Sequence, residues 1–209
     1  GQSHGNVGYD HDNITVKEAN DPYLTPKGVE QATAAGEYLK EINFDAFYSS
    51  GLLRAVQTSV EIMEKQSEDK TLNIQPLLTE VGIQPEYEGV GIDEIRELWL
   101  NSQLADGVDS SQPLVIYSSF NKEEELFERA EKAMKFLLSK YQNGEKVAVI
   151  SHAAFLTVLI FHIMGFRSSP LFDIDINNTG ITRVTFFKKG TNKYGDVVFR
   201  YINNTSHLS

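Results

Sequence analysis

The sequence predicts an α/β fold, a three-layer αβα sandwich around a mostly parallel central sheet. Short apolar segments with strand character alternate with amphipathic segments of helical period, and this order is typical of crossover helices on both faces of a parallel sheet. The run VAVIS at 147–151 is apolar without alternation, as expected for a strand buried on both faces. No internal repeat and no linker-like tract divides the 209 residues, so a single domain over 1–209 is predicted.

The first half of the chain is predicted to hold two helices and two strands. Thr25 and Pro26 form a helix start, because a threonine side chain caps the first amides and proline fits the first helical turn. Pro76 weakens the strand in which it lies, because proline cannot donate to a sheet ladder. The predicted elements are helices at 26–41 and 51–66 and strands at 44–49 and 72–78.

The second half is predicted to continue the alternation and to end in a hairpin. Asn121 is the expected N-cap of a long amphipathic helix, and the polar, turn-rich stretch from 106 to 121 is interpreted as a loop or a lid. β-Branched and aromatic runs joined by a Gly/Asn turn near the C-terminus indicate an antiparallel hairpin. The predicted elements are helices at 92–104, at 121–141 and from Ala153, and strands at 146–151, 181–187 and 197–202.

The composition excludes several classes of site and partner. There is no Cys, which removes disulfides, a thiolate nucleophile and Cys-ligated metals. The net charge of −10 and the lack of a dense Lys/Arg cluster argue against a nucleic acid or an anionic membrane as partner. No apolar run reaches the roughly 18 residues of a transmembrane helix, and a cytoplasmic location is expected. An anionic small substrate stays compatible, because a pocket can be locally positive on an acidic protein.

Three candidate site residues follow predicted strands, at the sheet edge where ligands of parallel sheets bind. His152 stands between a buried strand and a helix start, where a phosphate would meet backbone amides. Arg54 lies in the first turn of a helix and can bind a phosphate with two hydrogen bonds. Glu80 follows the next strand and has the chemistry of a general acid. Taken singly, a core histidine, a surface ion pair and a solvated acid are the commoner explanations.

Four segments resemble the motifs of one family, in its order. They resemble, in turn, the tail of Arg-His-Gly-(Glu/Gln)-(Ser/Thr)-x-x-Asn, Leu-Thr-x-x-Gly-x-x-Gln-Ala, Tyr-Ser-Ser-x-x-x-Arg-Ala-x-Gln-Thr and Val-Ser-His-Gly-Gly. The segments are Gly1–Asn6 (GQSHGN), Leu24–Ala32 (LTPKGVEQA), Tyr48–Thr58 (YSSGLLRAVQT) and Val149–Ala154 (VISHAA). Together they resemble the histidine phosphatase superfamily, the phosphoglycerate mutase-like clan, over nearly the whole chain.

The resemblance implies a phosphoryl-transfer site without a metal or another cofactor, in which fixed cations neutralise the transferring group. Arg54 and His152 would bind and stabilise that group. Glu80 matches the acid of the family's Leu-x-Glu segment and would protonate the leaving group, then activate water. The implied substrate-binding positions are Gln2, Ser3, Asn6 and Ala153.

Two departures from the family pattern leave alternatives open. By the first motif, the nucleophilic histidine and its neighbouring Arg would lie immediately before Gly1, after an opening strand. His4 is a poor replacement, because Ser3 precedes it where Arg is expected. The stretch after Glu80 is one residue off the usual spacing, so Glu86 or Glu88 competes for the role of the acid.

The resemblance therefore predicts a metal-independent phosphatase that hydrolyses a phosphomonoester through a phosphohistidine. The alternatives are phosphoryl transfer of the phosphoglycerate mutase type and a non-catalytic phosphate-binding module. The chain lacks long insertions, which favours hydrolysis over transfer. A small phosphorylated molecule is the expected partner, and a homodimer is left open. Segments 12–22 and 81–120 are expected to overhang the pocket, the second as a lid or insert.

Overall fold

The centre of the computed structural model, which describes residues 1–8, 14–66 and 70–209, is a four-stranded sheet. Its strands follow the order β3-β2-β1-β4, and all three pairings are parallel. The predicted α/β fold with a parallel central sheet is therefore confirmed. The strands are β1 (Ala46–Ser49), β2 (Leu72–Ile74), β3 (Ser102–Leu104) and β4 (Val147–Ile150).

Helices lie on both sides of this sheet. Successive side chains of a strand point to opposite faces, and β1 shows where each face packs. Phe47 belongs to one buried cluster with residues of α3 and α4, whereas Ala46 and Tyr48 belong to a second cluster with residues of α6 and α7. The helices are α1 (His4–Val7), α2 (Val16–Asn20), α3 (Pro26–Leu39), α4 (Leu53–Met63), α5 (Ile92–Leu98), α6 (Glu123–Lys140) and α7 (Ala153–Ile163).

The helix predicted over 92–104 is wrong in its second half. Helix α5 ends at Leu98, because Trp99 adopts an extended backbone and its indole nitrogen donates to the Lys70 carbonyl at 3.0 Å. The chain then forms β3, which pairs with β2. A polar triplet such as SQL has no apolar strand pattern, and its contacts with β2, which include a hydrogen bond from Gln103 Nε2 to Asn73 Oδ1 at 2.9 Å, make it an edge strand.

Two further differences from the prediction have local causes. The strand expected over 72–78 ends at Ile74, and Pro76 opens a short 3-10 helix over Pro76–Leu78, where its missing N–H is not needed. Asn121 is not the N-cap of α6, since Lys122 holds that position without a side-chain cap. Three acidic side chains in the first turn of α6 complement its dipole instead.

The predicted C-terminal hairpin is confirmed as β5 (Ile181–Phe186) and β6 (Val197–Asn204), which pair antiparallel. Among the described strands β4 pairs only with β1, and a cavity lies between its other edge and β5. A short 3-10 helix, Ser206–Leu208, ends the chain. No helix in the described ranges is both long and apolar enough to cross a membrane.

The two segments expected to overhang the pocket differ in structure. Positions 12 and 13 lie outside the described residues, and the rest of segment 12–22 contains α2. Segment 81–120 packs against the body of the domain. Its buried apolar residues include Tyr87, Val90, Ile95, Leu114 and Val115. None of residues 81–120 lines the cavity beside β4.

Candidate active site

The candidate site lies at the carboxyl ends of β1 and β4. Ser50 directly follows β1, and its N–H donates to the Ile150 carbonyl of β4 at 3.1 Å, which holds the two strand ends together. A cavity of about 1060 Å³ opens at this edge and continues along β4 towards the hairpin. The candidate residues that line it are Ser3, Asn6, Arg54, Glu80, His152 and Ala153, together with Gly1.

Arg54 is fixed on one side by the segment that follows α2. Its Nη1 donates to the Asn20 carbonyl at 2.8 Å and lies 3.4 Å from Asp21 Oδ1. Its Nε and Nη2 find no acceptor in the described part of the chain, and the side chain lines the cavity. Burial lowers the pKa of Arg54, but a guanidinium stays charged in proteins. Two donors of an oriented cation are thus available to an anion in the pocket.

Asp21 is a residue of this site that sequence reasoning missed. Its side chain is fully enclosed, and it accepts from the amides of Leu53 at 2.8 Å and Arg54 at 3.4 Å. Asp21 therefore caps α4, whose own N-cap Leu52 offers no side-chain acceptor. It also balances the charge of Arg54. Burial raises the pKa of Asp21, and these amides and Arg54 oppose the shift.

His152 is the N-cap residue of α7 and is 7% exposed. Its Nε2 is buried and has no hydrogen-bond partner among the described residues. Burial, and then the charge of Arg54, hold the pKa of His152 well below its usual range, so the imidazole is neutral at pH 7. A buried ring nitrogen without a partner is ready to bond a ligand that enters this pocket.

Glu80 binds amides at the N-terminus of α7, where the sequence predicts a bound phosphate. Its Oε1 accepts from the amides of Val81 at 2.8 Å and Phe155 at 3.0 Å, and its Oε2 accepts from Ala154 at 3.4 Å. The carboxylate thus satisfies two of the first amides of α7, and only the Ala153 N–H lacks an acceptor in the described residues. The competing acids Glu86 and Glu88 are exposed and do not line the cavity.

The first residues of the chain, which include the N-cap of the short helix α1, lie at the same edge. The Ser3 amide donates to Asn6 Oδ1 at 2.8 Å, and both residues line the cavity. Gln2 is placed elsewhere than expected, because its Oε1 accepts from Thr25 Oγ1 at 2.9 Å and faces α3. His4 is exposed and does not line the cavity. The Gly1 nitrogen lies in the pocket and donates to Thr58 Oγ1 at 3.1 Å.

Arg129 of α6 is a second buried cation that the sequence did not reveal. It is 5% exposed, and its guanidinium carbon lies 4.2 Å from the centre of the Phe155 ring. Its three side-chain nitrogens have no hydrogen-bond partner in the ranges described. Burial lowers the pKa of Arg129 to about 10, against the opposing charge of Glu80, so it stays a cation at pH 7. In an amphipathic helix an arginine is normally assigned to the solvent face, and no local signal marks this one.

Comparison with known proteins identifies the family of the chain. The profile of the histidine phosphatase superfamily (branch 1) matches residues 3–194. A 2,3-bisphosphoglycerate-dependent phosphoglycerate mutase of Bartonella henselae is 39% identical over 87 residues, which are 40% of this chain and 42% of the mutase. The chain thus spans about two fifths of that relative's length in the alignment.

Solved structures of two further proteins have the same fold. The phosphoserine phosphatase of Entamoeba histolytica, in complex with 3-phosphoglyceric acid, is 22% identical with a TM-score of 0.63, over 100% of this chain and 95% of the other. The phosphoglycerate mutase of Bacillus anthracis is 19% identical with a TM-score of 0.65, over 100% and 91%. Since the superfamily profile covers almost the entire sequence, the chain belongs to the histidine phosphatase superfamily.

Proposed function

We propose that the protein is a phosphatase that hydrolyses a phosphomonoester through a phosphohistidine, without a metal ion. The observation that carries the proposal is that Arg54, His152 and Glu80 line one pocket although they lie far apart in the sequence. Arg54 presents two donors to an anion, and His152 presents a neutral, buried ring nitrogen. Phosphoryl transfer depends mainly on positioning and charge neutralisation, and fixed cations supply both.

In the proposed first step a neutral histidine nitrogen attacks phosphorus. The P–N bond forms as the bond from phosphorus to the leaving oxygen breaks, and that oxygen takes a proton from Glu80. Glu80 Oε2 suits this role, because its one hydrogen bond is the long contact to Ala154. In the second step water attacks phosphorus, Glu80 takes a proton from it, and the P–N bond breaks to release phosphate.

The proposal assigns the nucleophile to the position immediately before Gly1, as the first motif implies. The Gly1 nitrogen already lies in the pocket, so a residue joined to it begins beside Arg54 and His152. This nitrogen is largely buried, and burial lowers the pKa of Gly1 as a free terminus to about 5. A peptide bond at this atom would place an uncharged amide in the pocket, where burial already disfavours a charge.

The charges around the pocket favour hydrolysis over mutase transfer. A second cavity of about 440 Å³ shares Ala153 with the first and is lined by Asp173 and Asp175. A phosphoglycerate has a carboxylate beside its phosphate, and Asp173 and Asp175 would repel that carboxylate if it reached the second cavity. The proposed substrate carries no anionic group besides its phosphate.

The test is hydrolysis of p-nitrophenyl phosphate in the presence of a chelator. Wild type should release phosphate, and Arg54→Ala should lower kcat/KM by about a thousandfold, since one oriented donor contributes about 10²–10³ and Arg54 offers two with a charge. Arg200→Ala is the matched control, because Arg200 lies on β6 and does not line the cavity. Equal activity in the two variants, or activity that the chelator abolishes, would contradict the proposal.

A further inference from the structure

Segment 81–120 bonds to the residues that hold Arg54. The Tyr87 hydroxyl donates to Asp21 Oδ2 at 2.8 Å, and Asp21 is the carboxylate next to the Arg54 guanidinium. Tyr87 is 5% exposed and packs in a small apolar cluster with Leu52 and Val115. Its hydroxyl therefore reaches Asp21 from a ring that is fixed by packing.

A second contact joins the same two segments. The Gln84 amide donates to Asn20 Oδ1 at 2.8 Å, and Asn20 Nδ2 lies 3.3 Å from Gln84 Oε1. The Asn20 carbonyl is the other acceptor of Arg54 Nη1. Each of the two residues that orient Arg54 is thus bound by residues 84–87: Asp21 through its carboxylate, and Asn20 through its side-chain amide.

The hydrogen bonds of the Asp21 carboxylate link the Tyr87 hydroxyl to Arg54. Oδ2 accepts from Tyr87 and from the Leu53 amide, and Oδ1 faces the amide and Nη1 of Arg54. Two bonds on Oδ2 fix the rotation of the carboxylate and therefore the position of Oδ1. Without the hydroxyl, one bond holds Oδ2, and the carboxylate can turn away from Arg54.

We propose that Tyr87 is a positioning residue, which acts through Asp21 on Arg54 and so sets the affinity of the pocket for a phosphoryl group. The inference rests on the proposed function only in taking a phosphate as the ligand of Arg54. Segment 81–120 then contributes to the site because it holds the residues that orient Arg54, although the segment does not line the cavity. Burial raises the pKa of Tyr87, so its hydroxyl stays protonated and remains a donor.

The test is the dissociation constant of inorganic phosphate, measured by calorimetry on the full chain. Tyr87→Phe removes the hydroxyl and keeps the ring in its cluster, and we expect the affinity to fall about tenfold, which equals about 1.4 kcal/mol. The matched control is Tyr48→Phe. Tyr48 is also buried, and its hydroxyl bonds that of Tyr141 at 2.8 Å on the side of the sheet covered by α6 and α7.

A double variant separates positioning from simple destabilisation. Both tyrosine variants lose a buried hydrogen bond and should unfold at lower denaturant concentration, but only Tyr87→Phe should lower the affinity for phosphate. In the Asp21→Asn background Tyr87→Phe should have no further effect on phosphate affinity, because its route to Arg54 is already altered. Unchanged affinity in Tyr87→Phe, an equal loss in Tyr48→Phe, or a full additional loss in the Asp21→Asn background would overturn the inference.

The outcome is distinguishable from failure of the proposed function. If the wild-type protein binds phosphate, and Tyr87→Phe binds it more weakly, but no ester is hydrolysed, the proposed function is wrong and the inference stands. If the protein hydrolyses esters, and Arg54→Lys lowers the affinity for phosphate while Tyr87→Phe does not, only the inference is wrong.

Discussion

Acidification should destabilise the protein through His152. The folded state keeps the buried imidazole neutral, with its pKa lowered by burial and by Arg54, whereas the unfolded chain protonates it normally. From about pH 7.5 to about pH 5.5 the unfolded histidine, with a pKa of about 6.5, goes from roughly 9% to roughly 91% protonated. The unfolded state therefore gains protons that the folded state does not, and stability falls as pH falls through this window.

The size of the effect follows from the same linkage. If the folded His152 stays neutral throughout, its contribution to the free energy of unfolding drops by about 1.4 kcal/mol between these two pH values. Urea unfolding of wild type and His152→Gln in phosphate-free buffers measures this contribution. It is the difference between the two proteins in how the free energy of unfolding changes with pH. Phosphate must be absent, because an anion bound beside the ring would favour its protonated form.

The control for this measurement is a histidine outside the pocket. His162→Gln removes a histidine whose pKa burial also lowers, but which is only partly buried and outside the pocket, so a smaller change is expected. If His152→Gln kept the full wild-type pH dependence, the imidazole would already take up a proton in the folded state. The account of a neutral, unpartnered ring in the pocket would then be refuted.

Three more predictions concern single residues. Arg54→Lys should bind inorganic phosphate about tenfold or more weakly in calorimetry, because an ammonium cannot replace the two oriented donors of the guanidinium; equal affinity would contradict the role of the fork. Glu80→Gln should lower kcat/KM for an alkyl phosphate by about 10²–10⁴ but kcat/KM for p-nitrophenyl phosphate far less, since that leaving group needs no proton and kcat/KM does not include the later breakdown of the phosphohistidine; equal losses in kcat/KM would contradict an acid role. Gly28→Ala should cost about 3 kcal/mol in urea unfolding, because its Cβ would lie 1.9 Å from the Gln2 carbonyl oxygen. Gly91→Ala, where a Cβ meets nothing within 4 Å, should cost about 1 kcal/mol or less as an N-cap change.

The central strands and the covering helices were predictable because their signals are local. The apolar runs of β1 and β4 and the helical periods of α3 and α6 lie within short stretches of sequence. β3 was not predictable, because Ser102 to Leu104 joins the sheet through contacts with β2, which lies far away in the sequence. The helix expected there ends at Leu98, before Trp99, whose indole bonds a carbonyl 29 residues earlier.

The candidate site was predictable where the residues stand in motifs and not where they act through space. Arg54, Glu80 and His152 stand in short sequence motifs, and all three line one pocket. Asp21 was not, because the helix terminus that it caps lies 32 residues further along the chain. Arg129 could not be identified either, because only the packing against Phe155 shows that it is buried.

The most direct test of the central claim is to trap the phosphoryl group on the protein. Glu80→Gln mixed with p-nitrophenyl phosphate and quenched in alkali should gain one phosphoryl mass by intact mass spectrometry, because formation needs no acid and breakdown needs a base. The adduct should be lost in mild acid, as expected of a phosphohistidine, and should map to the residue before Gly1. An adduct stable in acid, one on His4 or His152, or turnover without any adduct would contradict the account.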